Sequence, residues 1–413
     1  MFQYSQQIII ADLSYYLNGN KYSCNKEFEN LKLKNKPNIY YIYLESYHGQ
    51  EALKKLYNFD NEQLYSELRK KDFIIYPDTY SNWDHTLASL CDVFLMNHHF
   101  YFGKGYGLIR VIQGDKYNTV VNILKNNGYD INYVLPRSYI IRKTNKIVDN
   151  FNIPYSKFLA LLLYGMPQGW QNYVVMHNKS MMLSAIDSNS YHYMVRTNID
   201  KASNSEKPQF TFMEIGLEWD YINQKNNGVM HVSLNNICPE KYLKFAKWDG
   251  NMSDNYDYNM LKNWWANDYV EKVKKENTII LDTINYIEEK DPDSVIVLLG
   301  DHGAFQYLHM DVKGLKTLEK RMAEYNIDTD TVAKDYFNVL CAIKWPKSVR
   351  KKESVVISGV NLFRYIFSSL AENDDILKNK KSDISVSRGM YIFVKDGKPV
   401  EKPEKLVKEK YLN

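Results

Sequence analysis

The stretch that most restricts the fold is Ser294-Val295-Ile296-Val297-Leu298-Leu299, which runs uncharged straight into Gly300-Asp301-His302-Gly303. An unbroken aliphatic run of this length, stopped upstream by Asp291-Pro292-Asp293, reads as a strand that is apolar on both faces. Such a strand belongs to a parallel sheet covered on both sides by helices. The helix before it reads from Asp268 to Lys290. Val270, Val273, Ile280, Ile284 and Ile287 share one stripe, and charge covers the opposite face. A helix, then a buried strand, then a polar loop is the unit from which α/β domains are built.

The same rhythm runs through the chain. Pro37-Asn38 leads into Ile39 to Leu44, an aromatic and β-branched strand that ends at Glu45-Ser46-Tyr47-His48-Gly49. Residues 51–71 read as a helix and Phe73 to Tyr76 as a short strand. Asn118 to Asn127 reads as a helix, closed by Gly128 and followed by a strand from Asp130 to Leu135. Further strands are expected from Phe210 to Ile215 and from Phe337 to Ile343, and a helix from Val360 to Leu370. Met390 to Val394 with Asp396-Gly397 reads as a hairpin, and the Lys/Glu-rich tail from Glu401 as a solvated helix. Residues 1–36 read as a polar N-terminal extension, 37–385 as the main domain and 386–413 as a C-terminal hairpin and tail. Within the main domain, 137–207 reads as a variable insertion that shapes a substrate site. The expected architecture is α/β: a three-layer α/β/α sandwich with a mostly parallel central sheet, plus a small C-terminal antiparallel sheet.

Composition removes several classes. Apolar residues at 45% and charged residues at 25% exclude a disordered chain and a small disulfide scaffold. A net charge of +4 over 413 residues is too small to argue for nucleic acid. The four cysteines are scattered without a CxxC pair, so they read as buried free thiols, with one disulfide as the alternative. The N-terminus lacks the basic and apolar regions of a signal peptide, and the most apolar stretch, Phe158 to Met166, is too short to span a membrane. A full-length chain of this kind is expected in the cytoplasm, associated peripherally with the inner membrane face. An excised domain is expected in the periplasm or outside the cell.

Chemistry concentrates in Glu45, the loop Asp84-His85-Thr86, and Asp301-His302. The first and last follow strands directly, and ligands of open α/β sheets bind at the carboxyl ends of strands. Carboxylates and an imidazole held on rigid elements suit a divalent metal. A hydroxyl at a helix N-terminus beside such a metal is activated for attack on phosphorus or sulfur, and Thr86 suits that role. Each residue also has a plainer reading: Glu45 as a solvated loop carboxylate, Thr86 as a helix N-cap. The Asp-His pair between two glycines is read as functional, because it costs stability and packs nothing.

Taken in order, these segments resemble the alkaline phosphatase/sulfatase superfamily, in its lipoteichoic-acid-synthase-like and phosphoethanolamine-transferase-like branch. PNIYYIYLESY resembles the opening strand with its metal-binding Glu, SNWDHTLASL the nucleophile segment, and VIVLLGDHG the metal-binding strand end. VVNILKNNGYDINYV, PQFTFMEIG, FNVLCAIKWP and VNLFRYIFSSL resemble the units between and after them. The resemblance implies that Glu45, Thr86, Asp301 and His302 hold one divalent ion, zinc or manganese, with Thr86 also the nucleophile. It implies transfer of a phosphorus-containing group, such as phosphoglycerol or phosphoethanolamine, through a phospho-threonine intermediate. The donor would be nucleotide- or lipid-linked and the acceptor a bacterial surface glycan, such as a capsular sugar. A hydrolase on the same scaffold and an inactive glycan-binding module are the alternatives.

The chain departs from the family in two ways. It lacks the Cys-x-Pro-x-Arg pattern of sulfatases, since Cys91 is followed by Asp92-Val93-Phe94. Relatives end the central strand with a substrate-contacting His, whereas this chain reads Leu217-Glu218-Trp219-Asp220. His231 and His309 are the candidates to replace that His. Trp219 and Arg142 complete the expected substrate contacts.

Overall fold

A computed structural model describes residues 26–28, 30–99, 111–112, 118–135, 148–152, 188–216, 258–304, 322–323, 326–349, 355–387 and 389–406. The main sheet has seven strands: β1 (Ile39–Glu45), β2 (Phe73–Ile75), β3 (Asp130–Val134), β4 (Asn150–Asn152), β5 (Gln209–Gly216), β6 (Val295–Gly300) and β7 (Cys341–Lys344). Their order across the sheet is β2-β7-β6-β1-β5-β3-β4. The run from β6 to β4 is parallel throughout, and β7 lies antiparallel between β6 and β2. β6 is fully buried, as its unbroken apolar sequence requires.

Residue parity divides the core into two layers. Tyr41, Tyr43, Phe210, Phe212, Val297 and Leu299 face one side. There they pack against α3 (Thr86–Leu95), α4 (Thr119–Asn126) and α8 (Leu362–Ala371). Tyr40, Ile42, Met213, Ile296 and Leu298 face the other side. That side is covered by α1 (Gln50–Tyr57), α2 (Glu62–Lys70), α5 (Ser188–Ser203) and the long α6 (Tyr258–Lys290). Helices on both faces of a mostly parallel sheet make the three-layer sandwich. Phe28 and Leu33 also join the first layer, so residues just before β1 contribute to the core.

A second sheet, order β10-β9-β8, is antiparallel: β8 (Ile384–Val386), β9 (Tyr391–Lys395) and β10 (Lys398–Lys405). It packs against α7 (Thr329–Phe337) and grips the loop before α3. Asn82 Nδ2 donates to Ile384 O at 2.9 Å, Val386 N–H donates to Asn82 O at 2.9 Å, and Ser385 Oγ donates to Ser81 O at 2.6 Å.

Several elements differ from the expectations. Residues 51–71 form two helices, because Asn58 takes a left-handed conformation (φ 49°) that ends α1. The helix expected from Asp268 begins at Tyr258. Phe337 closes α7 and buries its ring against β9, and the strand starts only at Cys341. A short apolar run does not distinguish a helix end from a strand. In the Lys/Glu-rich tail, residues 401–405 belong to β10 rather than to a helix, since pairing with β9 satisfies their backbone while their charges stay in water, and 407–413 lie outside the described residues. Within the stretch read as an insertion, α5 packs on the sheet through Tyr191, Val195 and Ile199, and β4 extends the sheet. Cys91 and Cys341 are buried free thiols; Cys24 and Cys238 lie outside the described residues. Among the described residues, no helix is long and apolar enough to cross a membrane.

Candidate metal centre and nucleophile

β1 and β6 are adjacent and parallel, with Leu44 paired to Gly300. Glu45 and Asp301 therefore leave the sheet side by side. Both continue the parity of Tyr43 and Leu299, which faces α3. The N-terminus of α3 arrives at this point. His85, in extended conformation, is its N-cap, and its Nδ1 accepts the Ala88 N–H at 3.3 Å. Thr86 is thus the first helical residue, and its hydroxyl is not spent on capping. Thr86 Oγ1 donates to Glu45 Oε1 at 3.3 Å and lies 3.1 Å from His302 Nε2.

The tautomer of His302 follows from its other nitrogen. Nδ1 is 2.7 Å from Gly303 O, and a carbonyl only accepts, so Nδ1 carries the proton and Nε2 turns a lone pair toward Thr86. Asp301 is 2% exposed. Its Oδ1 accepts the N–H groups of Ser46 and His302, both at 2.8 Å. Its Oδ2 lies 3.4 Å from His302 Nε2. Burial pushes the Asp301 carboxyl up to about 7, against the backbone hydrogen bonds from Ser46 and His302 and the pull of the nearby Thr86 hydroxyl, and the Glu214 charge pushes it further the same way. A carboxylate that pays this penalty is one that a cation would stabilise.

The residues fit a metal ion. Ligand atoms of Glu45, Asp301 and His302 all lie within 4.8 Å of one another. Donors about 2.0–2.1 Å from a tetrahedral ion stand about 3.3–3.4 Å apart. The separations Thr86–Glu45, Thr86–His302 and His302–Asp301 are 3.3, 3.1 and 3.4 Å. Three oxygen donors and one imidazole suit zinc or manganese.

The four residues expected as metal ligands are therefore brought together. Asp84, two residues before Thr86, is buried but is not part of the ligand cluster. His231, His309, Arg142 and Trp219 lie outside the described residues. The glycines of Gly300-Asp301-His302-Gly303 have a packing cause: a Cβ on Gly300 would sit 2.5 Å from Tyr47 O, and one on Gly303 2.0 Å from Asp335 O. The chemical content of the motif thus lies in Asp301 and His302, while Gly300 lets the strand end pass the turn after β1 and Gly303 lets the loop pass against α7.

Three residues of the site were not anticipated. Ser46 takes a left-handed conformation (φ 57°) immediately after Glu45. Tyr269 on α6 donates its hydroxyl to Ser46 O at 2.9 Å. Glu214, fully buried, faces the same side of the sheet one strand away from β1. Only Glu214 left a trace in the sequence, as a lone carboxylate in the apolar run Phe210 to Ile215.

No family model matches the chain, and no curated protein matches it. Solved structures do resemble it. One is the C-terminal periplasmic domain of EcEptC from Escherichia coli in complex with Zn, at 14% identity over 82% of each chain, with a TM-score of 0.47. Another is an alkaline phosphatase superfamily protein from Vibrio parahaemolyticus, at 12% identity over 91% of this chain and 83% of that one, TM-score 0.49. A third is the lipoteichoic acid synthase LtaP from Listeria monocytogenes, at 10% identity over 93% and 92%, TM-score 0.47.

Proposed function

We propose that this chain is a metal-dependent transferase of phosphorus-containing groups, with Thr86 as nucleophile and Glu45, Thr86, Asp301 and His302 holding one divalent ion. The observation that carries this reading is the position of the Thr86 hydroxyl. It sits at the N-terminus of a buried helix, 3.3 Å from the Glu45 carboxylate and 3.1 Å from His302 Nε2. A bound ion would favour the alkoxide of Thr86 and neutralise charge on the phosphoryl oxygens. The chain's own residues supply the rest. Glu45 and His302 hold Oγ1 beside the strand ends, and the N-terminus of α3 favours the anionic phosphoryl group.

In the first half-reaction the Oγ–P bond forms as the bond from phosphorus to the donor's leaving oxygen breaks, and the Thr86 proton passes to that oxygen. In the second, an acceptor hydroxyl attacks phosphorus, the Oγ–P bond breaks, and the acceptor proton returns to Oγ. On the sequence resemblance, the donor is a lipid- or nucleotide-linked phosphodiester that carries the transferred group, such as phosphoglycerol or phosphoethanolamine, and the acceptor is a hydroxyl of a surface glycan.

The test is metal content by elemental mass spectrometry in the wild type and Asp301→Ala, with turnover of a chromogenic phosphodiester and the intact mass of Thr86-containing peptides. About one zinc or manganese per chain, lost in the variant, with a phosphoryl adduct on Thr86, supports the reading. Product release at equal rates with and without a glycan acceptor would make the enzyme a hydrolase. No metal uptake by the wild type on reconstitution would reject an enzyme and leave a binding module.

A further inference from the structure

We propose that the Tyr269 hydroxyl is a positioning group for the metal centre, acting by holding Ser46 in its left-handed conformation. The inference rests on the metal-centre reading above. Ser46 links Glu45 to the turn that follows β1, and its φ of 57° is disfavoured roughly tenfold for a residue with a Cβ. Such a conformation persists where surrounding groups impose it. Two groups do so here. The Ser46 N–H donates to Asp301 Oδ1 at 2.8 Å, and the Ser46 carbonyl accepts from Tyr269 Oη at 2.9 Å. One peptide unit thus joins two metal-binding carboxylates: it follows Glu45 directly and is hydrogen-bonded to Asp301.

Tyr269 clamps both ends of the turn. Its Oη donates to Ser46 O and accepts the His48 N–H at 3.1 Å. The side chain is 7% exposed, and its ring packs against Tyr57 at 4.6 Å and His48 at 5.3 Å between centroids. Tyr269 stands on α6, 223 residues after Ser46 in the chain. Should Ser46 relax to a right-handed or extended conformation, its N–H would leave Asp301 Oδ1 and Glu45 would turn with it. Removing the hydroxyl while keeping the ring therefore loosens the ligand set without emptying the core.

The test uses four full-length proteins: wild type, Tyr269→Phe, Ser46→Gly and the double variant. Glycine adopts the left-handed region freely, so Ser46→Gly removes the need for the clamp. Zinc affinity is measured by competition with a chromophoric chelator, and thermal melting is measured on the metal-free proteins. Tyr269→Phe is expected to weaken zinc binding about tenfold, and adding Ser46→Gly to restore most of that loss. In melting, Ser46→Gly is expected to raise the midpoint more in the Tyr269→Phe background than in the wild type. Unchanged zinc affinity in Tyr269→Phe, or an equal effect of Ser46→Gly in both backgrounds, overturns the inference. A wild type that takes up no zinc rejects the metal-centre reading, while the melting cycle, which needs no metal, still accepts or rejects the clamp.

Discussion

His48 is expected to make the metal-free protein acid-labile through a single proton. Its side chain is fully buried. Nδ1 lies 3.0 Å from Tyr269 Oη and 3.3 Å from Ala304 N, and burial keeps the ring neutral. Nε2 lies 3.7 Å from Asp335 Oδ1, beyond hydrogen-bond reach, and Tyr269 and Tyr57 pack their rings against the imidazole. Burial, reinforced by the nearby His302, pushes the pKa of His48 down from 6.5 to about 3. The unfolded chain takes up this proton below about 6.5, whereas the folded protein refuses it until about 3. The contribution is therefore fully present above 6.5 and is lost as pH falls. At about 1.36 kcal/mol per pH unit the loss is about 2 kcal/mol at pH 5 and about 4 kcal/mol at pH 3. His48→Asn keeps a polar group near the Nδ1 position but gives up ring contacts, at a cost of about 2 kcal/mol. Urea denaturation of the two chelator-treated proteins across pH 4–8 gives a difference in which shared titrations cancel. The variant is expected to be less stable at pH 8, equal near pH 5 and more stable below. A difference that does not change with pH would refute the reasoning. So would one that grows in favour of the wild type in acid, since His48 would then be charged and paired with Asp335 in the fold.

Thr86→Ala is expected to lower phosphodiester turnover by about a thousandfold or more without shifting the urea midpoint, and Thr86→Ser to retain activity within about tenfold, as steady-state assays would show. Gly303→Ala places a methyl group 2.0 Å from Asp335 O, so the loop or α7 must move. The expected cost is about 3 kcal/mol or more, read as a fall in the urea midpoint. Zinc at a hundred times its dissociation constant is expected to stabilise the wild type by about 2.7 kcal/mol. Thermal melting should show that protection disappear in Asp301→Asn.

The parts of the site legible in the sequence are those set by strand ends. An aliphatic run broken by Asp301-His302, and an aromatic run ending at Glu45, each place a polar group at the carboxyl end of a strand, because a strand buried on both faces disfavours one along its length. Thr86 was ambiguous for a physical reason. A threonine before an apolar helix reads as its cap, and histidine is not among the preferred caps, yet His85 takes that position and releases the Thr86 hydroxyl. Phe337 and the segment after Glu401 misled because a short apolar run fits a helix end as well as a strand, and a charged segment fits an edge strand as well as a solvated helix.

The supports of the site were not legible at all. A left-handed serine carries no sequence signal of its own, and the hydroxyl that holds it stands on another element. The same holds for the loop before α3, which is held by Ile384, Ser385 and Val386, about 300 residues further along the chain. Groups that face a ligand cluster near strand ends because the sheet presents them there. Groups that orient them come from whatever packs alongside, so their identity depends on the folded arrangement of helices and not on local pattern. A variant series confined to the legible residues would measure the chemistry of this centre and miss what sets its geometry. The Ser46–Tyr269 pair is where the two meet, since one hydrogen bond from α6 holds the carbonyl of the residue whose N–H ties Glu45 to Asp301.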